Sequence, residues 1–384
     1  MRIAFYAPMK SARHPLPSGE RTMARLLTAA LAAGGHAIVT ASRLRSYEGA
    51  GDSERQKKIA RLGHRIAERL VRCWAGAGAD QRPDLWFTYH LYHKAPDWVG
   101  PWVCDHLGIP YVVAEASHAA KRARGPWADG LAAAASAIAR ADLLFVLNSA
   151  DTQGLRPLLC PSSRLVPLPP FVDAAAFVAA SNDPVARLAT RRRHGIPAET
   201  PLIACVAMMR PGDKLASYRL LADALARIAG RAWRLMVIGD GPARAAVAAA
   251  FAPLHERVHW IGRIDEAELP ALYAAADLCA WPAIGEAWGM ALIEAQAAGV
   301  PVVAGRSGGV ADVVADGTTG LLAPIGDAHA LASAIAVLLD EPLRRRQMGR
   351  AARRRVQARH DVAAAAATLN DALRALVGRA RRIA

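Results

Sequence analysis

The chain has 384 residues, of which 53% are hydrophobic, and its formal net charge is +15 at pH 7. This length favours two globular domains over one. Only six of the 48 basic residues are lysines, so the charge reflects an arginine-rich composition, and since no DNA- or RNA-recognition motif accompanies it we expect no nucleic-acid partner.

Twelve short runs rich in β-branched and aromatic residues predict β-strands, and the longer alanine- and leucine-rich runs between them predict helices. Most of the strand runs are almost continuously apolar, which is typical of parallel strands covered on both faces. Strand and helix alternate in two series, which predicts the α/β class with two doubly wound domains. The predicted strands are residues 2–7, 37–41, 85–89, 111–115, 143–147 and 164–168, then 202–208, 234–238, 258–261, 277–281, 301–304 and 320–323.

A segment without strand character separates the two series of strands. We therefore place the first domain at residues 1–175, a linker at 176–198 and the second domain at 199–365. After about residue 326 the pattern is helical to the end. Because ligands of such sheets bind beyond the carboxyl ends of the strands, we expect the site in a cleft between the two domains.

Several kinds of protein are disfavoured by what the chain lacks. Its amino-terminal apolar run is too short for a signal peptide, and no apolar stretch reaches the ~18–20 residues of a membrane span. The five cysteines are scattered and show no CxxC or Cys/His spacing, which argues against a disulfide framework and a zinc site. We therefore expect a cytoplasmic protein, either soluble or peripheral at the inner face of the membrane.

Two cations follow the predicted strand 202–208. Arg210 and Lys214 stand four positions apart, and Lys214 is the one lysine after Lys121 in a chain that otherwise uses arginine. A compact ammonium beside a guanidinium at a strand end suits a diphosphate, whereas a solvated turn is the alternative. The glycine-rich turn 239–242 is a weaker signal that many α/β proteins share.

Two glutamates, Glu286 and Glu294, interrupt the otherwise apolar stretch 281–301. A buried carboxylate is costly unless something hydrogen-bonds to it, so a partner must come from the protein or from a ligand. Eight residues of helical rise span about 12 Å, which is comparable with the separation of the two sugar rings across a diphosphate. The carboxylates therefore suit the hydroxyl groups at the two ends of a nucleotide sugar; capping or salt-bridged glutamates are the alternative.

The segment from Gly289 to Gly299 is a predicted helix. The unpaired amides of Gly289, Met290 and Ala291 at its start predict an anion site.

This region resembles the E-x7-E signature of retaining glycosyltransferases with the GT-B fold, and most closely their family 4. The likeness extends over nearly the whole chain, loosely in "PDLWFTYH" and "GIPYVVAEASH" and most specifically from Glu286 to Gly309. It implies two Rossmann-like domains that face each other across a cleft, with a carboxy-terminal helix, 366–384, that returns to the first domain. It also implies transfer of a hexose from a nucleotide diphosphate sugar to a hydroxyl of a glycan or lipid-linked acceptor.

The resemblance assigns roles to the charged residues. It implies that Glu286 holds hydroxyls of the donor sugar and Glu294 holds the ribose. Arg210 and Lys214 would neutralise the diphosphate as it leaves, which stabilises developing charge. No D-x-D motif is present, so the family pattern implies no cofactor and no metal, with the cations and helix dipoles in the place of an ion.

Further roles follow from the same resemblance. His118 matches the histidine that approaches the donor sugar near the reacting carbon, and Gly19 matches the glycine loop beneath the diphosphate. Gly289, Met290 and Ala291 would add their amides to the diphosphate site. Same-face attack, assisted by the donor's own phosphate oxygen, would retain configuration without a protein nucleophile. Met209 stands where the family has a glycine, and the spacing from Arg210 to Lys214 is one residue shorter than in the family, which predicts a tighter loop.

The stretch 54–72 predicts an amphipathic basic helix. One face carries cations and another carries aliphatic side chains, and such a helix can lie on anionic lipid. A packed helix with a solvated charged face is the alternative. The cations are Lys58, Arg61, Arg65, Arg69 and Arg72, and the aliphatic residues are Ile59, Leu62, Ile66 and Leu70.

Two other functions remain open at this point. One is a different enzyme on the same fold, a sugar-nucleotide epimerase or a glycoside phosphorylase. The other is a non-catalytic nucleotide-sugar-binding subunit of a polysaccharide assembly, because binding alone would use most of the same residues.

Overall fold

The structure is a computed structural model that describes residues 1–15, 18–78 and 80–383. It divides into two compact units. The amino-terminal unit comprises Met1–Pro169 together with Val362–Ala384, and the carboxy-terminal unit comprises Pro170–Asp361. Each unit is built around one parallel six-stranded sheet, as the apolar strand pattern predicts.

The amino-terminal sheet has the strand order β2-β1-β3-β4-β5-β6. The chain extends the sheet in opposite directions from β1 and from β3, so the switch point of the topology lies between these two strands. The strands are β1 Arg2–Tyr6, β2 Ala37–Thr40, β3 Leu85–Leu91, β4 Tyr111–Ala116, β5 Leu143–Val146 and β6 Arg164–Pro167. The helices are α1 Gly19–Ala33, α2 Ser53–Ala75, α3 Gly100–Leu107, α4 Ala128–Arg140 and α5 Thr152–Leu155.

The carboxy-terminal sheet has the strand order β12-β11-β10-β7-β8-β9, with its switch point between β7 and β10. The strands are β7 Leu202–Val206, β8 Arg234–Ile238, β9 Val258–Gly262, β10 Leu278–Trp281, β11 Val302–Gly305 and β12 Gly320–Ala323. The helices from α6 onward are α6 Ala175–Ser181, α7 Pro184–Arg193, α8 Asp213–Arg227, α9 Arg244–Ala250, α10 Leu269–Ala275, α11 Met290–Ala297, α12 Val310–Val313, α13 Ala328–Asp340, α14 Pro342–Arg359 and α15 Val362–Ile383.

The last helix, α15, belongs to the amino-terminal unit although it follows the carboxy-terminal one in sequence. It packs against α1, which confirms the expected return of the carboxy-terminal helix; the helix begins at Val362 rather than at 366. None of the helices in the described part of the chain is both long enough and apolar enough to cross a bilayer.

All twelve predicted strands form, with ends that differ by at most two residues from the prediction. The segment 176–198, assigned to a linker from its polar composition, contains most of α6 and all of α7 and lies within the carboxy-terminal unit. Two of its arginines, Arg187 and Arg191, are the reason, because they form ion pairs with Asp277 at the edge of the sheet instead of facing solvent.

Asp277, which immediately precedes β10, fastens α7 to the sheet. Arg187 donates to one carboxylate oxygen at 2.9 Å, Arg191 to the other at 2.6 Å, and the amide of Leu202 to the second oxygen at 2.8 Å. Arg191 is 2% exposed and also donates to the carbonyl oxygen of Ala275 at 2.9 Å. One carboxylate thus positions α7, β7 and β10, and the last two strands flank the switch point.

Replacing Arg191 by alanine should leave Asp277 buried with less of its charge compensated. We expect the free energy of unfolding to fall by about 3–5 kcal/mol, as for other buried ion pairs that lose one partner. Urea denaturation measures this. Arg192→Ala removes an exposed arginine from the same helix and should change stability by no more than about 0.5 kcal/mol. Equal losses in the two variants would contradict the assignment.

Candidate functional site

The loops after β7 and β10 lie next to each other because these two strands are neighbours. Leu278 pairs with Ile203 in parallel register, so both strands end at the same edge of the sheet. This is the switch point, where α/β sheets bind their ligands. The segment after β7 carries Arg210 in its loop and Lys214 in the first turn of α8, and the segment after β10 carries Glu286 in its loop and Glu294 in α11.

Lys214 and Glu286 form an ion pair although 72 residues separate them in sequence. The side chains are 27% and 19% exposed, so the pair is screened by solvent much less than a surface pair. The indole nitrogen of Trp281 donates to the same carboxylate oxygen at 3.2 Å, and the ammonium lies 5.2 Å from the centre of the indole ring. Trp281 is buried and fixes the position of both charges.

The loop that carries Glu286 is held by close backbone contacts. The amide of Ile284 donates to the Ser217 hydroxyl at 3.0 Å, which joins the loop to α8. Gly308 lies so close that a Cβ there would be 2.4 Å from the carbonyl oxygen of Glu286. The amide of Gly309 reaches the carbonyl oxygen of Ala287 at 2.5 Å. The glycine pair after the E-x7-E block therefore has a packing role against the loop of its first glutamate.

Glu294 lies in α11, where it is partly buried and bonded to Tyr273. The tyrosine hydroxyl contacts the Glu294 carboxylate at 3.3 Å and donates to the carbonyl oxygen of Ala291 at 2.9 Å. Burial raises the pKa of Glu294 from 4.5 to about 7, the Tyr273 hydrogen bond opposes the shift and the charge of Glu266 adds to it. The buried thiol of Cys279 is a further neighbour. Glu294 is therefore poised between its two charge states at neutral pH.

The start of α11 is uncapped by any side chain. Gly289 is the N-cap residue, with φ of 79°, and α11 begins at Met290. Because glycine offers no capping oxygen, the first amides of the helix, including those of Met290 and Ala291, are available to an anion. The helix has eight residues and ends at Ala297, two residues before the predicted end at Gly299, and its start adjoins the loop of Glu286.

Arg210 is exposed, and its guanidinium contacts the sulfur of Met208 at 3.2 Å. Two backbone hydrogen bonds join its loop to the glycine-rich turn after β8. The amide of Met209 donates to the carbonyl oxygen of Asp240 at 3.0 Å, and the amide of Ala243 donates to the carbonyl oxygen of Met209 at 2.9 Å. The turn 239–242, weak as a sequence signal, thus supports the loop that carries Arg210.

The two site residues predicted in the first domain lie at the carboxyl edge of the amino-terminal sheet. Gly19 is the first residue of α1, after the N-cap Ser18, whose hydroxyl accepts hydrogen bonds from the Lys10 ammonium at 2.9 Å and the Arg21 amide at 3.3 Å. His118 follows β4 by two residues and is half-buried.

Sequence reasoning missed two buried polar residues at the same edge, His90 at the end of β3 and Glu115 at the end of β4. Both have a left-handed backbone, with φ of 62° and 58°. Such a conformation costs a non-glycine residue about 1–3 kcal/mol and is concentrated at functional sites. A signal was present, because each is a polar residue in an apolar strand run. Among the described residues no group of three His, Cys, Asp or Glu side chains could hold a metal ion.

Comparison with known proteins gives a family and a fold. Residues 200–341 match the family described as "Glycosyl transferases group 1". A GDP-mannose-dependent alpha-(1-6)-phosphatidylinositol monomannoside mannosyltransferase from Mycolicibacterium smegmatis is 36% identical over 204 residues, which cover 50% of this chain and 52% of the relative. The chain thus spans about half the length of the curated relatives that it matches.

Two solved structures resemble the whole chain. A sucrose-phosphate synthase from Thermosynechococcus elongatus has a TM-score of 0.71 at 24% identity, covering 98% of this chain and 99% of its own. HepE from Anabaena, solved in complex with UDP-glucose, has a TM-score of 0.67 at 18% identity, covering 98% of this chain and 100% of its own. At these identities the likeness shows the fold.

The raised pKa of Glu294 predicts a pH dependence of stability that Glu294→Gln should remove. Between pH 4.5 and 7 the folded chain keeps a proton that the unfolded chain has released. The free energy of unfolding, relative to the variant, should therefore fall by about 3 kcal/mol as the pH rises through this window and be constant above it. Urea titrations from pH 4.5 to 8 measure the difference.

Glu268→Gln removes an exposed carboxylate nearby and should follow the wild-type profile. A constant difference between wild type and Glu294→Gln across the whole range would show that Glu294 titrates normally.

Proposed function

We propose that this chain, whose residues 200–341 belong to the glycosyl transferases group 1 family and whose two sheets form the GT-B fold, transfers a hexose from a nucleotide diphosphate sugar to a hydroxyl group of a glycan or lipid-linked acceptor. We assign it to family 4, with retention of configuration. The observation that carries the proposal is the meeting of Lys214 and Glu286 at the switch point of the carboxy-terminal sheet.

In this proposal the cations bind the diphosphate. Lys214 is held in place by Glu286 and Trp281, so its ammonium needs little reorganisation when a diphosphate arrives. Arg210 is exposed at the same turn and can add a bidentate contact. Together with the first amides of α11 they stabilise the charge that develops on the leaving diphosphate. In this proposal no metal is required, because fixed positive charge and a helix amino terminus serve the purpose.

The carboxylates bind the two sugars of the donor, the hexose and the ribose. Glu286 accepts hydrogen bonds from the donor hexose, and the loop contacts through Ser217 and Gly308 keep it at the strand edge. Glu294 binds the ribose, and Tyr273 orients its carboxyl group. Because ribose hydroxyls both donate and accept, they can pair with either charge state of Glu294. The relative from Mycolicibacterium smegmatis uses GDP-mannose by its name, and HepE was solved with UDP-glucose, which supports a nucleotide hexose donor.

On the amino-terminal unit, we propose that His118 and Gly19 contact the substrate. Both lie at the carboxyl edge of its sheet, where ligands of parallel sheets bind. Attack on the same face as the departing diphosphate, with a phosphate oxygen accepting the acceptor's proton, gives retention without a protein nucleophile.

We further propose that α2 attaches the protein to anionic membranes from the cytoplasmic side. Its cations Arg61 and Arg65 are exposed and border a shallow depression with Lys58 and His64. Two apolar side chains are exposed in the same region: Leu62 on α2 is 40% exposed, and Trp102 on α3, which packs on α2, is 42% exposed. Cations beside exposed leucine and tryptophan suit a lipid headgroup region.

Most of the predicted aliphatic face of α2 packs inward. Ile59, Ile66 and Leu70 are partly buried, and Ile66 and Leu70 pack against the core, whereas Leu62 faces solvent. Gly63 allows the backbone of α2 to approach Trp98. The exposed leucine favours a lipid-facing surface over a merely solvated one.

Lys214→Ala and Glu286→Ala should each lower the turnover number by about 100-fold or more while the protein stays folded, because each removes charge from the site of bond breaking. The thermal shifts produced by UDP-, GDP- and ADP-hexoses identify the donors that bind, and hexose transfer from those donors measures the turnover number. Asp223→Ala changes an exposed carboxylate on the same helix as Lys214 and should leave turnover unchanged. Full activity in both site variants would refute the proposal.

The same assay separates the rival functions. An epimerase would isomerise the sugar nucleotide without any acceptor, and a phosphorylase would cleave a disaccharide only with phosphate. A binding subunit would bind the donor and turn over none of these substrates.

Reversing two charges on α2, in Arg61→Glu/Arg65→Glu, should weaken binding to vesicles rich in anionic lipid by at least about tenfold. Co-sedimentation at low and high salt checks this, and salt should weaken wild-type binding as well. Arg346→Glu/Arg350→Glu makes the same change at exposed positions of α14. Equal, salt-insensitive recovery of wild type on neutral and anionic vesicles would count against membrane attachment.

A further inference from the structure

β3 and β4 depart from regular strand geometry at two residues that lie side by side, one on each strand. Tyr89 pairs with Ala114 and Leu91 pairs with Ala116, and the residues between them, His90 and Glu115, both have left-handed backbones. A left-handed glutamate or histidine inside a strand is uncommon. Two such residues side by side bring their side chains together at the edge of the sheet, which a regular alternation would not do.

This pair lies at the switch point of the amino-terminal sheet. β3 is the strand next to β1, and the chain leaves β1 through the loop that leads to Ser18 and Glu20 at the start of α1. The negative charge of Glu20 acts on both members of the pair. Lys10, in the loop after β1, bonds to the Ser18 hydroxyl.

The two side chains face each other without a direct hydrogen bond. Nδ1 of His90 lies 3.7 Å from Oε1 of Glu115, beyond hydrogen-bonding distance, and the side chains are 20% and 11% exposed. Within the part of the chain that the structure describes, His90 Nδ1 and Glu115 Oε2 are buried and have no hydrogen-bond partner. Buried polar atoms are paired with few exceptions. Both atoms are therefore candidates to bind a ligand, and the buried Tyr89 hydroxyl interacts with Glu115 from within the chain.

Burial favours the uncharged form of both members of the pair. It raises the pKa of Glu115 well above its ordinary value and lowers the pKa of His90 to about 4. A protonated Glu115 donates a hydrogen bond, and a neutral imidazole that carries its proton on Nε2 accepts one at Nδ1. The group that satisfies both at once is a hydroxyl, which accepts at its oxygen and donates its proton.

An anionic group fits this place poorly. Glu20 keeps its negative charge there: burial opposes ionisation, but its own backbone amide and the Ser18 hydroxyl outweigh that effect and lower its pKa. A phosphate would meet this carboxylate and would offer no donor to Nδ1 of His90. The chemistry of the pair therefore selects a neutral polyol.

We propose that His90 and Glu115 bind one hydroxyl group of a sugar or other polyol, with Glu115 donating to its oxygen and His90 Nδ1 accepting its hydrogen. The buried hydroxyl of Tyr89 adjoins Glu115. This deepens the proposed function and rests on it in one respect: the bound polyol is the sugar moiety of the acceptor.

A binding measurement tests the pocket without any transfer activity. The protein is labelled with 15N-histidine, the His90 signal is assigned with His90→Gln, and its imidazole shifts are followed while methyl α-D-glucopyranoside, methyl α-D-mannopyranoside or myo-inositol is added. At least one probe should shift the His90 signal saturably. Glu115→Ala should weaken that binding by about tenfold, equivalent to about 1.4 kcal/mol. Glu68→Ala, an exposed change on α2, should not.

Glu115→Gln keeps a hydrogen-bond donor and the side-chain shape, so it should bind within about threefold of wild type; it also guards against a failure of Glu115→Ala to fold. The proposal is overturned if no probe shifts His90 saturably, or if Glu115→Ala binds as wild type does. In the transfer assay Glu115→Ala should raise KM for the acceptor about tenfold and leave KM for the donor unchanged. Absence of transfer in wild type would refute the proposed function, and the His90 titration would still decide the pocket.

Discussion

The ion pair between Lys214 and Glu286 is the interaction on which the candidate site depends. It joins the segments after β7 and β10, which carry the cations and carboxylates of the proposed donor site. The indole nitrogen of Trp281 donates to the Glu286 carboxylate of this pair. Opposite charges that are only about a quarter exposed attract each other more strongly than surface charges do, so the loops are fixed before any ligand binds. The neighbouring contacts of Ser217, Gly308 and Gly309 serve the same end, since each restrains the backbone on one side of Glu286.

Backbone strain in the described part of this protein is concentrated at the carboxyl ends of the strands. Three non-glycine residues in the described part of the chain have a left-handed backbone, His90, Glu115 and Ala283, and each lies at or just beyond the carboxyl end of a strand. Parallel sheets direct all their strand ends to one edge, so distortions there aim side chains at a ligand without disturbing the core. The switch point of the carboxy-terminal sheet carries the Lys214–Glu286 ion pair, and the switch point of the amino-terminal sheet adjoins the His90–Glu115 pair.

The sequence was sufficient for the strands and for several residues of the candidate site. Buried parallel strands are apolar throughout, which makes them easy to find, and a family signature of fixed spacing marks Glu286 and Glu294. It was insufficient where a polar segment becomes structured through distant contacts: α7 forms because Asp277, almost 90 residues away, binds Arg187 and Arg191. The sequence did not predict that His90 and Glu115 lie together for a similar reason, because their contact requires two neighbouring strands to be distorted at the same place.

The central claim is that Arg210, Lys214, Glu286 and Glu294 bind one nucleotide sugar molecule. A crystal structure with a bound nucleotide hexose tests it most directly. The account predicts diphosphate oxygens at about 3 Å from the Lys214 ammonium and near Arg210, hexose hydroxyls on Glu286 and ribose hydroxyls on Glu294. A nucleotide bound elsewhere, with the Lys214–Glu286 pair unchanged and the start of α11 empty, would contradict it.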